Sequence, residues 1–149
     1  MIYYDIINIL DNQLSTDDFV NTVTRGDIFD IDLNKQTIFP LSHIMINSVA
    51  KEQRVLRVNI TIMCMDVVDI NKAATTDILR GNDNEDDVLN TQLAVALRAM
   101  EVFERGDNTK QWVLDGNPSF EPFTERFENY LAGWACTFDL LVPNTMTKC

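Results

Sequence analysis

The sequence predicts an α+β fold, an antiparallel sheet of about four strands packed against two helices. Three stretches carry that prediction. Tyr130 to Pro143, YLAGWACTFDLLVP, places Tyr130, Ala132, Trp134, Cys136, Phe138, Leu140 and Val142 on one parity, with Gly133, Thr137 and Asp139 on the other. Such alternation, rich in aromatic and β-branched residues and closed by a proline, describes a long strand with one buried face. Val55 to about Val68 alternates in the same way, and follows a second apolar run across a polar turn, as in a hairpin. Finally, VLNTQLAVALRAMEVFER has helical rather than strand periodicity.

Taken in order, residues 2 to 14 form the first helix: Ile2, Ile6, Ile9 and Leu10 lie at helical spacing, and Ile7 and Leu14 widen the stripe. Ser15-Thr16-Asp17-Asp18 offers capping and turn oxygens that end it. A short apolar run (Phe19, Val20, Val23) leads to a turn at Arg25-Gly26-Asp27; the RGD tripeptide is a chance match in an acidic chain. In DIFDIDLNKQT, Phe29, Ile31 and Leu33 alternate with Asp30 and Asp32, which suits a charged edge strand or an arm that adds to a neighbour's sheet. Asp30-x-Asp32-x-Asn34 lacks the glycine and the closing glutamate of a calcium loop, so no metal is assigned there.

Thr37 to Val49 reads as a strand entered through Pro40, 50–54 as a polar turn, and Val55 to Val68 as the second hairpin strand, with Leu56, Val58, Ile60, Ile62 and Cys64 on one face. Met65 and Val67 indicate that the other face is also partly covered. Asn71 to Asp87 is a polar excursion. Its acids Asp83, Glu85, Asp86 and Asp87 complement the positive end of the following helix, and Gly106 supplies a stop. On that helix Leu89, Leu93, Ala96, Leu97, Met100 and Phe103 trace one stripe, and Val88, Val95, Ala99 and Val102 a second. Gln92, Arg98, Glu101 and Glu104 remain polar. So wide an arc predicts a helix that packs on the sheet and touches something more, a neighbouring subunit included. Gln111 to Leu114 reads as a short strand, Asp115-Gly116-Asn117-Pro118 as a turn, and the parity change between Phe123/Phe127 and the last strand as a bulge near 129–131 or at Gly133.

The bulk numbers restrict function more than they define it. A chain of 149 residues fits one domain: helix and arm over 1–38, an α+β core over 39–144 and a polar tail over 145–149. The net charge of −11 repels phosphate and anionic lipid, so duplex binding and membrane docking are not expected; it suits solubility, or a surface past which nucleic acid slides. MIYYDIINIL has no basic leader region and holds Asp5, so it does not read as a signal peptide; no stretch approaches the ~20 apolar residues of a membrane span. Cys64, Cys136 and Cys149 have no paired spacing, which fits synthesis in a reducing cytoplasm. No nucleophile, zinc or P-loop motif occurs. His43 reads as a strand residue, and Trp112 and Trp134 as anchors of core or interface. The expectation is a non-catalytic protein without cofactors.

FPLSHIMIN, ITIMCMDVVDINK, DDVLNTQLAVALRAM and LDGNPSFEPFTERFENYLAGWACTFDLLVPN, with the order of elements around them, resemble the tail-completion and tail-terminator proteins at the head–tail junction of tailed bacteriophages. They look closest to the neck-ring proteins of crAss-like phages. The similarity spans about Phe39 to Asn144, and its last block is the most specific. It implies a structural virion protein made in the host cytoplasm, a closed ring of twelve or six copies between portal or adaptor and tail. DNA would pass through the bore without specific binding, and no catalytic or metal residues carry over. The subunit or ring-ring contacts offered by the sequence are Phe29, Asp30, Ile31, Asp32, Val88, Val95 and Val102, and the acidic residues facing lumen or partner are Asp83, Glu85, Asp86 and Asp87. A small α+β module that binds a peptide or ligand is the alternative.

Overall fold

The computed structural model describes residues 2–26, 38–68, 85–104, 112–126 and 130–144. Its elements run α1 (Ile2–Ser15), β1 (Thr22–Arg25), β2 (Leu41–Glu52), β3 (Val55–Val67), α2 (Glu85–Glu104), β4 (Val113–Arg126) and β5 (Tyr130–Pro143). The fold class is α+β, but the sheet is mixed and has five strands in the order β1-β2-β3-β5-β4. The additional strand, β1, pairs in parallel with the first residues of β2, Thr22 opposite Leu41 through Arg25 opposite Ile44. Four residues, with one apolar member among TVTR, carry too little pattern to be legible as a strand.

The remaining pairings are antiparallel. β3 and β5 run in unbroken register from Val55 opposite Pro143 to Val67 opposite Leu131. This sets the alternating apolar residues of both strands side by side: Ile60 on Phe138, Ile62 on Cys136, Val58 on Leu140. β2 continues to Glu52, so the hairpin turn is only Gln53-Arg54 and not the whole of 50–54. A bulge at Asn47 shifts the register between Ile46 and Ser48.

β4 also departs from expectation. The short strand and the DGNP turn belong to one continuous strand, whose pairing with β5 is interrupted between Asp115 and Ser119. Gly116, at φ +72°, accommodates the extra residues there, so the turn chemistry of the sequence is used to kink a strand, not to end it. Gly133 is not a bulge: it pairs in register with both Met65 and Phe123. It is glycine because a Cβ would run into the Cys64 carbonyl and lie 2.8 Å from the Met65 Cα. Residues 127–129 lie outside the described residues. The parity change is explained by burial on both faces: Phe120 joins the main core and Phe123 a second cluster.

Both helices pack on one face of the sheet. Ile6, Ile7, Leu10 and Leu14 of α1 meet Val95, Ala96, Ala99, Met100 and Phe103 of α2 over a floor that includes Ile44, Ile60, Ile62, Cys136, Phe138 and Leu140. α2 runs along β5. Near its start Val88 and Leu89 pack on Ala132, and the Trp134 indole Nε1–H donates to the Leu89 carbonyl at 2.7 Å. Near its end the rings of Phe103 and Phe138 are 5.9 Å apart. Burial pushes the Cys64 and Cys136 thiols up to about 12, so both act as small apolar residues at neutral pH.

The buried stripe of α2 is Val88, Gln92, Val95, Ala96, Ala99, Met100 and Phe103. It cuts across the two stripes drawn from the sequence. Leu97 is 46% exposed, and Gln92, expected to face solvent, is 1% exposed. A polar residue in the middle of the sheet-facing row displaced the apparent apolar face by one column, toward Leu89, Leu93 and Leu97.

Candidate functional site: an interaction surface

Three surfaces remain once the core is accounted for, and each follows from the way the strands and helices meet. The first is the outer side of the helical layer. Val88 and Val95, two of the contact residues drawn from the sequence, are buried in this chain's own core, and Val102 is half-buried. The wide arc of α2 is taken up by α1 as well as by the sheet. What α2 offers outward is Leu97, and nearby Phe19 is exposed beneath the guanidinium of Arg98, which lies 5.7 Å from its ring centre. Tyr3 and Tyr4 are exposed on α1.

Arg98 fastens the α1–β1 connection to α2. Its Nε and Nη2 donate to the two carboxylate oxygens of Asp17 at 2.7 and 2.9 Å, and the Phe19 amide donates to the same carboxylate at 3.0 Å. Burial opposes ionisation of Asp17, but the Arg98 and Phe19 hydrogen bonds outweigh it and hold the carboxyl below its usual range. Arg98 is the one basic residue on either helix, against Asp5, Asp11, Glu85, Asp86, Asp87, Glu101 and Glu104. The helical layer is therefore strongly acidic. Asp86 and Asp87 are exposed in the first turn of α2 and Glu85 is half-buried there; Asp83 lies outside the described residues.

The second surface is the opposite face of the sheet, which divides into two halves. Toward one end, Leu41, Met65 and Leu131 are buried under Phe39, with Ile38, Met63, Val67 and Phe123 around them. Toward the other, polar side chains bridge strand to strand. Asn47 donates to Asn59 and Thr61, Asn59 donates to Asp139, and the Thr61 and Thr137 hydroxyls are 3.1 Å apart. Arg57 binds Glu52 at 2.8 Å and also Asp115, with Asp139 at 4.0 Å. Cross-strand ion pairs and amide bridges of this kind keep a sheet face in water.

The third surface is the edge of the sheet at β2. β1 covers only Leu41–Ile44, and the Gly26 amide adds one hydrogen bond to the Ile44 carbonyl. His43 locks the short strand in place: it is fully buried, with Nδ1 2.7 Å from the Thr24 hydroxyl and Nε2 2.7 Å from the Gly26 carbonyl. The strand assignment for His43 holds, but its role as a clasp was not legible, because β1 itself was not. Beyond Ile44 no strand lies against the outer edge of β2 among the described residues. A groove of about 370 Å³ opens there, lined by Tyr3, Ile7, Arg25, Ile44, Ile46 and Asn47. Phe29, Asp30, Ile31 and Asp32 lie outside the described residues.

Among the described residues no three His, Cys, Asp or Glu side chains converge as metal ligands, and no helix is long and apolar enough to cross a membrane. The chain matches no protein-family model and no curated protein sequence.

Proposed function

We propose that this chain is a structural, non-catalytic subunit of the bacteriophage head–tail junction, assembling head-to-tail as a ring between portal or adaptor and tail. The observation that carries this reading is where the resembling stretches fall. FPLSHIMIN enters β2, ITIMCMDVV is most of β3, DDVLNTQLAVALRAM is most of α2, and LDGNPSFEPFTERFENYLAGWACTFDLLVPN covers nearly all of β4 and all of β5. The resemblance thus takes in one contiguous packing unit, the sheet centre and the helix laid along it. A sheet with two dissimilar edges and a helical layer of net negative charge also suits heterologous contact between identical copies, which closes into a ring when the rotation permits. The acids at the start of α2 face the bore or the next ring in this reading, repelling the phosphates of passing DNA.

The test is the composition and imaging of purified particles. The chain should be found in intact virions at a copy number of six or twelve, as a ring at the neck with the first turn of α2 toward the bore or an adjoining ring. Particles that lack the chain overturn the reading. A ring with that turn on its outer rim overturns the placement of the acids.

A further inference from the structure

The last turn of α2 carries its charge at the unfavourable end. Glu101 and Glu104 stand where the helix dipole is negative, and that turn holds no base. Along the outer line of the helix they continue a row that begins with Leu93 and Leu97, at helical spacing. Leu97 is 46% exposed and Leu93 half-buried, while both acids are exposed. The row therefore reads apolar, apolar, acid, acid over about 16 Å.

The free margin of β2 carries the converse row. Ile46, Val49 and Lys51 lie opposite Ile60, Val58 and Leu56, on the face of the sheet that the helices occupy. Ile46 borders the groove, Val49 is 54% exposed, and Lys51 and Arg54 are exposed at the tip of the hairpin. Ile46 to Lys51 spans about 14 Å, measured along the four residues of β3 opposite, and Arg54 lies beyond. Neither base has a carboxylate partner among the described residues, and the neighbouring Glu52 is held by Arg57 at 2.8 Å. In a chain of net charge −11, adjoining unmatched bases next to exposed apolar side chains complement the row on α2 in both charge and order.

The two rows cannot meet within one chain. α1 packs over β1 and β2, and α2 over β3, β5 and β4, so α1 stands between them. They nevertheless lie at one level of the sheet: Phe103 packs against Phe138, in the same cross-strand row as Ile60 and Ile46. Equal level is what a ring requires, because a rise between successive contacts would give an open filament. A helix laid against an edge strand also shields that edge from further pairing.

We infer that the row Leu93, Leu97, Glu101 and Glu104 of α2 docks on the free margin of β2 in a second copy of this chain. Leu97 meets Ile46 and Val49, the two acids meet Lys51 and Arg54, and the first turn of α2 stays outside the contact. The choice of a second copy rests on the matched rows, and closure of the contacts into a ring rests on the head–tail reading.

Sedimentation velocity of the full chain at about 50 mM salt tests the contact. The parent should associate, at least tenfold more weakly at about 500 mM salt. Lys51→Glu with Arg54→Glu, and separately Glu101→Lys with Glu104→Lys, should each weaken association at least tenfold. The two variants mixed together should associate again, since each then offers the other a row of opposite charge. Leu97→Glu, a single change at an exposed site, should by itself weaken association at least tenfold, and it carries the test where circular dichroism shows that a reversal disturbs the fold. A parent that stays monomeric up to about 0.2 mM overturns the contact. So does a folded variant that associates like the parent, or a mixture of folded reversals that stays apart. A neck ring whose subunits meet through other surfaces overturns the contact and leaves the head–tail reading intact. Association in solution by a chain absent from virions overturns that reading and leaves the contact.

Discussion

Ile60 and Thr61 are neighbours on β3, yet they face different chemistry. Ile60 lies opposite Phe138 under the two helices, in a continuous apolar layer with no exposed surface of its own. Thr61 lies on the other face, where Asn47 donates to its hydroxyl and Thr137 meets it from β5. One face is held by the removal of area from water, which tolerates no hole. The other, around Thr61, is held by directional contacts between side chains that water could partly replace. Alternation along a strand reports which residues share a face, but not what will cover that face.

The largest effect should therefore come from the covered side. Ile60→Ala is expected to lower stability by about 3–4 kcal/mol, since the cavity under α1 and α2 cannot collapse fully. Thr61→Ala, one residue away, should cost about 1 kcal/mol, as expected for hydrogen bonds partly open to solvent. Urea unfolding of both variants measures the ratio; equal losses would mean that the two faces are equally dry.

A smaller effect is expected at the fastening between α2 and the α1–β1 connection. Arg98→Met leaves the buried Asp17 carboxylate with only the Phe19 amide, a loss of about 2 kcal/mol for charged hydrogen bonds at a half-exposed pair. Because the folded-state pKa of Asp17 is depressed, its contribution is complete above the ordinary carboxylate range and vanishes as pH falls through the lower, folded value. The gap between parent and variant should hold from pH 7 to about 5 and narrow below about pH 4. A gap that persists unchanged at pH 3 would show that packing of the arginine stem, not the ion pair, carries the effect.

The smallest change should be a gain. The amide of Gln92 is buried and has no hydrogen-bond partner among the described residues. Gln92→Met keeps the length of the side chain and removes the unmatched polar atoms, so stability should rise by about 1 kcal/mol. A loss on the same urea assay would indicate that the amide is satisfied, and that the covered face is less uniformly apolar than it looks.

The same residues explain what the sequence could and could not disclose. β3, β5 and α1 were legible because their apolar residues keep one period from end to end, and the hairpin because its turn is polar. The sheet-facing stripe of α2 was misplaced because Gln92 interrupts it, and an uninvested glutamine cannot be told from a buried one by pattern. β4 was divided in two because Asp-Gly-Asn-Pro is strong turn chemistry, and only pairing with β5 reveals that the strand resumes after the kink. β1 is too short to announce itself, and with it the clasp made by His43 and the open edge beyond Ile44 were hidden. Val88 and Val95, offered from the sequence as contacts, are buried within this chain for a related reason: width of an apolar arc does not say whether a second helix or a second subunit will cover it.

The place of β5 in the sheet has a consequence for how the chain is made. It lies between β3 and β4, although it follows both in the sequence. Until Tyr130 to Pro143 has left the ribosome, β4 has no strand to join among the described residues and β3 lacks one of its two neighbours. The nascent chain must hold a hairpin and a half-covered helix in a soluble state while it waits for the last strand to slot between them. Folding should then finish late and with a large loss of loop entropy, which is the slow regime for contacts distant in sequence.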